Sequence, residues 1–111
     1  MTDKTVIHYT ESNFSDIEHY EGVSIIRFHA PWCGPCSHSE HFFDQATSQM
    51  PAAIIAGKVN VIQAPVLASK YSVWGLPNTL IFKNGQVVDS ISGPQPAAVF
   101  IKAVQKALAE S

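Results

Sequence analysis

Two cysteines separated by two residues are the groups in this chain best suited to covalent chemistry. Cys33 and Cys36 enclose Gly34 and Pro35, after a β-prone segment and before a helical pattern. At a helix start, unpaired backbone N–H groups and the positive end of the helix dipole stabilise a thiolate, the form that attacks disulfides. Gly34 and Pro35 allow a tight, stiff turn. The pattern predicts a redox dithiol in which Cys33 attacks and Cys36 closes an internal disulfide.

Three other interpretations of the cysteine pair stay open at this point. The first is an inert buried pair or a permanent bridge. The second is a zinc site, whose ligands would be Cys33, Cys36, His38 and His41. Four ligands that lie mostly on one continuous helix close a tetrahedral site poorly. The third is an iron–sulfur cluster, which would need cysteines from a second chain because this chain has two. We favour the redox dithiol, with no metal and no bound cofactor.

The elements that position the cysteines follow from the apolar pattern. Residues 23–30 are apolar on both alternating faces, as in a central strand that is covered on each side. The helix after Cys36 is predicted to end near Met50, before Pro51. Further strands are expected at 6–10, 54–61, 79–83 and 86–91, and further helices at 14–20, 65–71 and 95–109. The order βαβαβαββα predicts an α/β fold, a central mixed five-stranded sheet with helices on both faces.

Composition is typical of one folded domain, which we place at residues 1–111. The hydrophobic content of 46% is enough for one core. Seven Lys+Arg against nine Asp+Glu leave a net charge of −2, so we expect no nucleic-acid partner. No apolar run approaches the ~18 residues of a membrane span, and the first residues lack the apolar stretch of a signal peptide. We therefore expect a cytoplasmic protein without a membrane span, and a monomer.

The residues around the cysteines, and several further along the chain, resemble the thioredoxin family. The resemblance is carried by Trp32-Cys33-Gly34-Pro35-Cys36, Phe28-His29-Ala30-Pro31, Tyr71-Ser72-Val73-Trp74-Gly75-Leu76-Pro77, Phe82-Lys83-Asn84-Gly85 and Gly93. It implies a thioredoxin-like fold and a thiol–disulfide oxidoreductase that reduces disulfide-containing protein substrates. In such a protein Cys33 would attack, Cys36 would resolve, and a reductase of the thioredoxin reductase type would supply electrons.

The resemblance also implies how a substrate would be held. Trp32 would cover the site, and Trp74 would extend an apolar docking surface, unless it is a partly buried loop anchor. Pro77, expected to be cis, would place the backbone of Leu76 beside the cysteines, where it can pair with an extended substrate segment. Gly93 would leave room for that segment.

One departure from the family pattern lies beneath the cysteines. The family usually has a buried Asp in the central strand, where it helps to move the proton of the resolving cysteine; this chain has Arg27, which cannot accept a proton near neutral pH. Lys58 matches the usual partner of that Asp, so two cations would lie close together and a compensating acid is expected. We predict that Glu40 pairs with Arg27, with Asp44 as the alternative, unless Arg27 reaches solvent.

A second departure is His29, where the family usually has a second Trp. A lone His is more often a packed residue than a catalyst, but its nearness to the site makes His29 a candidate replacement base. Because a cation stabilises thiolates, Arg27 would make the pair more oxidising. That leaves two alternatives to a general reductase. One is a specialised oxidase, isomerase or single-partner redox protein; the other is a binding or chaperone module with little redox turnover.

Overall fold

Strands and helices alternate along residues 5–110, the part of the chain that the computed structural model describes. In chain order they are β1 (Val6–Tyr9), α1 (Ser15–Glu18), β2 (Val23–His29), α2 (Gly34–Ser48), β3 (Ile55–Asn60), α3 (Pro65–Lys70), β4 (Asn78–Lys83), β5 (Gln86–Ser92) and α4 (Ala97–Ala109). The predicted order βαβαβαββα is confirmed. Residues 1–4 and 111 lie outside the described residues, and with them the start of the segment in which no signal peptide is predicted.

The strands form one mixed sheet in the order β1-β3-β2-β4-β5. Strands β1 and β2 both run parallel to β3, whereas β4 is antiparallel to β2 and to β5. β2 therefore lies in the middle of the sheet, as its two apolar faces predict.

Both faces of the sheet are covered, because successive side chains of each strand point to opposite sides. The side that carries α2 and α4 includes Val23, Ile25, Phe43, Ala46, Ala56, Ile81, Phe100, Val104 and Ala107. The side that carries α1 and α3 includes Tyr9, Phe14, Ile17, Ile26, Phe28, Val59, Leu67, Leu80 and Phe82. The predicted α/β fold, a mixed five-stranded sheet with helices on both faces, is confirmed. Within residues 5–110 no helix is long and apolar enough to cross a membrane.

The β4–β5 hairpin closes with the turn that the sequence predicts. Asn84 (φ +52°) and Gly85 (φ +80°) both adopt the left-handed conformation that a two-residue turn between antiparallel strands requires. The register shifts between Ile81 and Phe82, which marks an irregularity in this pair of strands. The side chain of Asn84 also accepts a hydrogen bond from the backbone N–H of Gly22 (2.9 Å), so the turn is tied to the start of β2.

Two helices are shorter than predicted. Helix α1 spans Ser15–Glu18 instead of 14–20, because His19 leaves the helical conformation ahead of a turn at Gly22, whose φ is +144°. Helix α4 begins at Ala97 instead of 95, because Pro96 is extended (φ −68°, ψ 157°) and acts as the N-cap. Neither change moves an element that carries the cysteines.

Candidate active site

Cys33 and Cys36 form a disulfide at the start of α2, with their Cα atoms 5.2 Å apart. Cys33 is the N-cap residue, and its Sγ accepts a hydrogen bond from the backbone N–H of Cys36 (3.1 Å). Pro35 lies in the first turn, where a missing N–H costs nothing. Both cysteines are buried against Ala30 and Leu76. The predicted pairing of the cysteines is confirmed, and a donor already points at the sulfur of the proposed attacking residue.

The zinc interpretation gains no support from this geometry. The sulfur atoms of Cys33 and Cys36 are bonded to each other, and His38 and His41 are both exposed on α2. Among residues 5–110, no three His, Cys, Asp or Glu side chains are grouped closely enough to hold a metal ion.

Arg27 lies beneath the first turn of α2 and is only 2% exposed, so it does not reach solvent. Its Nη2 donates hydrogen bonds to the carbonyl oxygen of Cys36 (2.7 Å) and to Oγ of Ser39 (3.2 Å). The hydroxyl of Ser39 donates in turn to the carbonyl oxygen of Pro35 (2.6 Å). Burial lowers the pKa of Arg27, and the carboxylates of Glu40 and Asp44 oppose that shift. Arg27 thus connects the central strand to the turn that carries both cysteines.

The predicted pairing of Glu40 with Arg27 is wrong. The ion pair of Glu40 is with Lys58, whose Nζ lies 2.8 Å from Oε2 of Glu40 and 2.9 Å from Oδ1 of Asp44. Lys58 lies beside Arg27 in the sheet, on β3, and its flexible side chain extends to the two carboxylates on α2. Arg27 instead donates a hydrogen bond to the carbonyl oxygen of Cys36. The compensating acids that we expected are present, but they contact the second cation.

The electrostatics of Glu40 follow from this contact. The hydrogen bond from Lys58 is the main cause that lowers the pKa of Glu40, and the nearby charge of Arg27 acts in the same direction. Glu40 is therefore ionised at neutral pH and is a weak base.

Ser39 and Thr79 are site residues that the sequence analysis missed. Thr79 faces Arg27 from β4, and both Thr79 and Ser39 are buried. A signal for Ser39 was present, because it precedes Phe43 by four residues and so extends the apolar stripe of α2. A polar side chain in a buried stripe requires a partner, and here the partner is Arg27.

His29 ends β2 and borders a cavity of about 190 Å³ next to the disulfide. The cavity is lined by Arg27, His29, Ala30, Pro31, Cys36, Ser37 and Glu40. Partial burial is the main cause that lowers the pKa of His29 from its ordinary value of 6.5, and the charge of Arg27 adds to the shift. His29 is therefore neutral at pH 7. Its Nε2 is buried and has no hydrogen-bond partner among the described residues.

Two tryptophans lie exposed in the segments next to the cysteines. Trp32 precedes Cys33 and is 69% exposed, and Trp74 in the loop after α3 is 82% exposed. The interpretation of Trp74 as a partly buried loop anchor is therefore wrong. An exposed indole offers a large apolar surface to another molecule.

The loop after Trp74 packs against the cysteines through Leu76. The Leu76–Pro77 peptide bond is cis, as predicted, and Leu76 packs against the disulfide. The carbonyl oxygen of Pro77 accepts a hydrogen bond from the N–H of Gly93 (2.8 Å). Gly93 has a φ of +75°, and a Cβ added there would meet nothing within 4 Å. The structure therefore brings Leu76, Pro77 and Gly93 together, with open space at Gly93.

Known proteins resemble the chain over nearly its whole length. The thioredoxin family model matches residues 5–106. A thioredoxin of Staphylococcus saprophyticus is 30% identical over 103 residues, which is 93% of this chain and 98% of that protein. The chloroplastic thioredoxin M3 of Oryza sativa is 33% identical over 87 residues, 78% of this chain, and the match spans only 50% of that longer protein.

A solved structure shows the same likeness in three dimensions. A thioredoxin of Malassezia sympodialis superposes with a TM-score of 0.86 at 26% identity, and the match covers 98% of this chain and 96% of that one. The agreement therefore holds for the family model, for the sequences of the relatives and for the fold as a whole. This chain belongs to the thioredoxin family.

Proposed function

We propose that the protein is a thiol–disulfide oxidoreductase that reduces disulfides in other proteins. The observation that carries the proposal is the Cys33–Cys36 disulfide at the start of α2, where a backbone N–H points at Sγ of Cys33. In the reduced pair, that N–H and the helix dipole would favour the thiolate of Cys33. Both cysteines are buried, so a substrate would have to dock beside the pair to reach it.

The reaction has two exchange steps. The Cys33 thiolate attacks one sulfur of the substrate disulfide, forms a mixed disulfide, and expels the other substrate sulfur as a thiolate. Cys36 then attacks Sγ of Cys33, which forms the internal disulfide and releases the second substrate sulfur. Two electrons pass from the cysteine pair to the substrate. A separate reductase, of the thioredoxin reductase type, would return the pair to the dithiol form, and no bound cofactor takes part.

The substrate would lie across Trp32, Trp74 and the cis-proline loop. The exposed indoles supply apolar surface, and an extended substrate segment would run along the backbone at Leu76 in the space beside Gly93. Such a reductase works in a reducing compartment, so we still predict that the protein is cytoplasmic. We also still predict a monomer.

Reduction of insulin disulfides, coupled to a thioredoxin reductase, tests the proposal. We expect turnover by the wild type, none by Cys33→Ser, and a trapped mixed disulfide with Cys36→Ser that mass spectrometry detects. Ser69→Ala, an exposed position on α3, is the control and should match the wild type. If the wild type has two free thiols and still shows no turnover, the protein is a binding or chaperone module instead.

A specialised oxidase, isomerase or single-partner redox protein is the second candidate, and buried Arg27 favours it. A positive charge 2.7 Å from the Cys36 carbonyl stabilises thiolates nearby, and thereby the reduced pair. Measurement of the reduction potential against glutathione decides between the candidates. A value near −270 mV is that of a general reductase, and a value near −180 to −120 mV is that of an isomerase or oxidase.

A further inference from the structure

Resolution of the mixed disulfide requires a proton acceptor next to Cys36. The thiolate and not the thiol is the nucleophile, so Cys36 must lose its proton before it attacks Cys33. Arg27 is the side chain that contacts the backbone of Cys36 from below, and a guanidinium has no acceptor atom. The proton must therefore leave in another direction.

The cavity beside the disulfide limits the choice of acceptor. Besides Arg27 and Cys36, its titratable lining groups are His29 and Glu40. Glu40 is held by Lys58 at 2.8 Å, and that contact makes its carboxylate a weak base. Ser37 donates its hydroxyl to the carbonyl oxygen of Cys33. His29 is left as the lining group whose neutral form can take up a proton near pH 7.

The hydrogen bonding of His29 points the same way. In the disulfide form Nε2 is buried without a hydrogen-bond partner among the described residues, which is a costly arrangement for a polar atom. Cys36 carries no proton while it is bonded to Cys33. Once the pair is reduced, the Cys36 thiol gains a proton and becomes a donor that borders the same cavity. In the reduced protein the Cys36 thiol could therefore supply the hydrogen bond that Nε2 lacks in the disulfide form.

We propose that Nε2 of His29 accepts the proton of the Cys36 thiol when Cys36 attacks the mixed disulfide. The inference rests on the proposed disulfide exchange and names its proton acceptor. As Cys36 forms its bond to Sγ of Cys33, the bond from Cys33 to the substrate sulfur breaks and the electron pair leaves on that sulfur. The proton on His29 then passes to the released thiolate or to water, and the imidazole is neutral again.

The charged groups around His29 suit transient proton uptake. Burial is the main cause that disfavours the imidazolium. Arg27 on the same strand, Lys58 on β3 and His8 on β1 act in the same direction, whereas Glu40 on α2 opposes them. His29 therefore gives the proton up again instead of keeping it through the cycle.

Single-turnover kinetics can separate the two exchange steps. With a fluorescent disulfide substrate, the Cys36→Ser background reports the attack by Cys33 alone, and the intact pair reports attack followed by resolution. We expect His29→Gln to slow resolution by about 100-fold or more, while the attack rate stays within about twofold. In the wild type, the rate of resolution should fall as the pH drops through the lowered pKa of His29. This decrease at low pH should be absent from His29→Gln.

Two controls separate a loss of proton transfer from a loss of the fold and from a failure of the proposed function. His38→Gln, an exposed histidine on α2, should behave like the wild type. Should His29→Gln unfold, an NMR titration of the wild-type His29 ring replaces it, because reduction of the disulfide should shift that titration. The inference would be overturned if His29→Gln left the rate of resolution and its pH profile unchanged. It would also be overturned if the His29 ring titrated identically in the oxidised and reduced protein. Absence of any substrate reduction by the wild type would instead count against the proposed function.

Discussion

Arg27 changes what the buried position beneath the cysteines can do. An acid there would gain and lose a proton during the reaction, whereas a guanidinium keeps its charge at every pH at which the protein functions. Its hydrogen bonds to the Cys36 carbonyl and to Ser39 hold the turn in place. The residue is thus a structural contact and a fixed positive charge, and the proton chemistry moves to a neighbouring side chain.

Replacement of Arg27 by Met tests the effect of this charge. Met is unbranched like Arg but shorter and uncharged, so the reduced pair loses its stabilising cation and should become harder to form. We expect the reduction potential to fall by about 30 mV, the equivalent of about 1.4 kcal/mol for a two-electron couple. Equilibration with glutathione measures it, and Lys102→Met, at an exposed position on α4, is the control. A potential that rises or stays the same would show that the charge of Arg27 does not stabilise the reduced pair.

Glu40 provides a pH-dependent prediction at the same scale. Its pKa is lowered in the folded protein, so its contribution to stability is present above the unfolded pKa and is lost as the pH falls through the folded pKa. The side chain of Glu40 is 47% exposed, so we expect Glu40→Gln to cost only about 0.5 kcal/mol at pH 7. Urea unfolding over a series of pH values from 7 downward checks this, and the difference between the two proteins should shrink as the pH falls. A difference that stays the same at every pH would contradict it; Glu21→Gln is the exposed control.

At the scale of elements, α2 and the β4–β5 hairpin show how local sequence sets the site. Helix α2 begins where Cys33 caps it and where Pro35 needs no donor, so the redox pair and the helix start are one feature. Both residues of the hairpin turn contact the segment before β2. Asn84 bonds to Gly22, and Gly85 lies directly against the backbone carbonyl of Glu18 in α1.

Gly85→Ala should therefore destabilise the fold. Its φ of +80° disfavours a Cβ, and that Cβ would collide with the carbonyl oxygen of Glu18, which cannot move as a side chain can. We expect a loss of about 1 to 3 kcal/mol in the free energy of unfolding, measured in urea. Gly75→Ala is the matched control, because its Cβ would meet nothing within 4 Å. Equal stability of the two variants would show that the turn relaxes without cost.

At the scale of the whole molecule, two apolar layers hold the sheet between pairs of helices. The layer under α2 and α4 matters most for function, because it supports the helix that carries the cysteines. Phe43 of α2 meets Phe100 of α4 edge to face, with ring centroids 5.8 Å apart and an interplanar angle of 80°. Both rings are buried. The C-terminal helix thus packs directly on the helix of the redox pair.

A double-mutant cycle on Phe43→Leu and Phe100→Leu measures this contact. We expect each single change to cost about 1 to 2 kcal/mol in the free energy of unfolding, and the pair to be coupled by about 0.5 to 1 kcal/mol. Phe14→Leu, in the opposite layer, should add to Phe100→Leu without coupling, because it touches neither ring. Simple additivity of Phe43→Leu and Phe100→Leu would show that α4 and α2 are held by other contacts.

Local pattern was sufficient for most of the fold and for the redox pair. The apolar faces of β2, the Asn84-Gly85 turn and the spacing of Cys33 and Cys36 each depend on residues close together in the chain. Helix starts, turn conformations and strand alternation are governed by those near neighbours, so the sequence by itself determined them. The resemblance to the thioredoxin family implied an acid at residue 27, where this chain has Arg.

Only the tertiary structure decided which charged groups meet. The sequence placed Glu40 one turn after Cys36, but its carboxylate contacts Lys58, while Arg27 bonds to the Cys36 carbonyl and to Ser39. Long charged side chains have many conformers, and their partners depend on how α2 crosses the sheet and on which strands are neighbours. That crossing is set by packing between elements far apart in the chain, which local spacing does not encode. The same packing leaves Nε2 of His29, which lines the cavity, without a partner among residues 5–110, and this supports its proposed role as the acceptor.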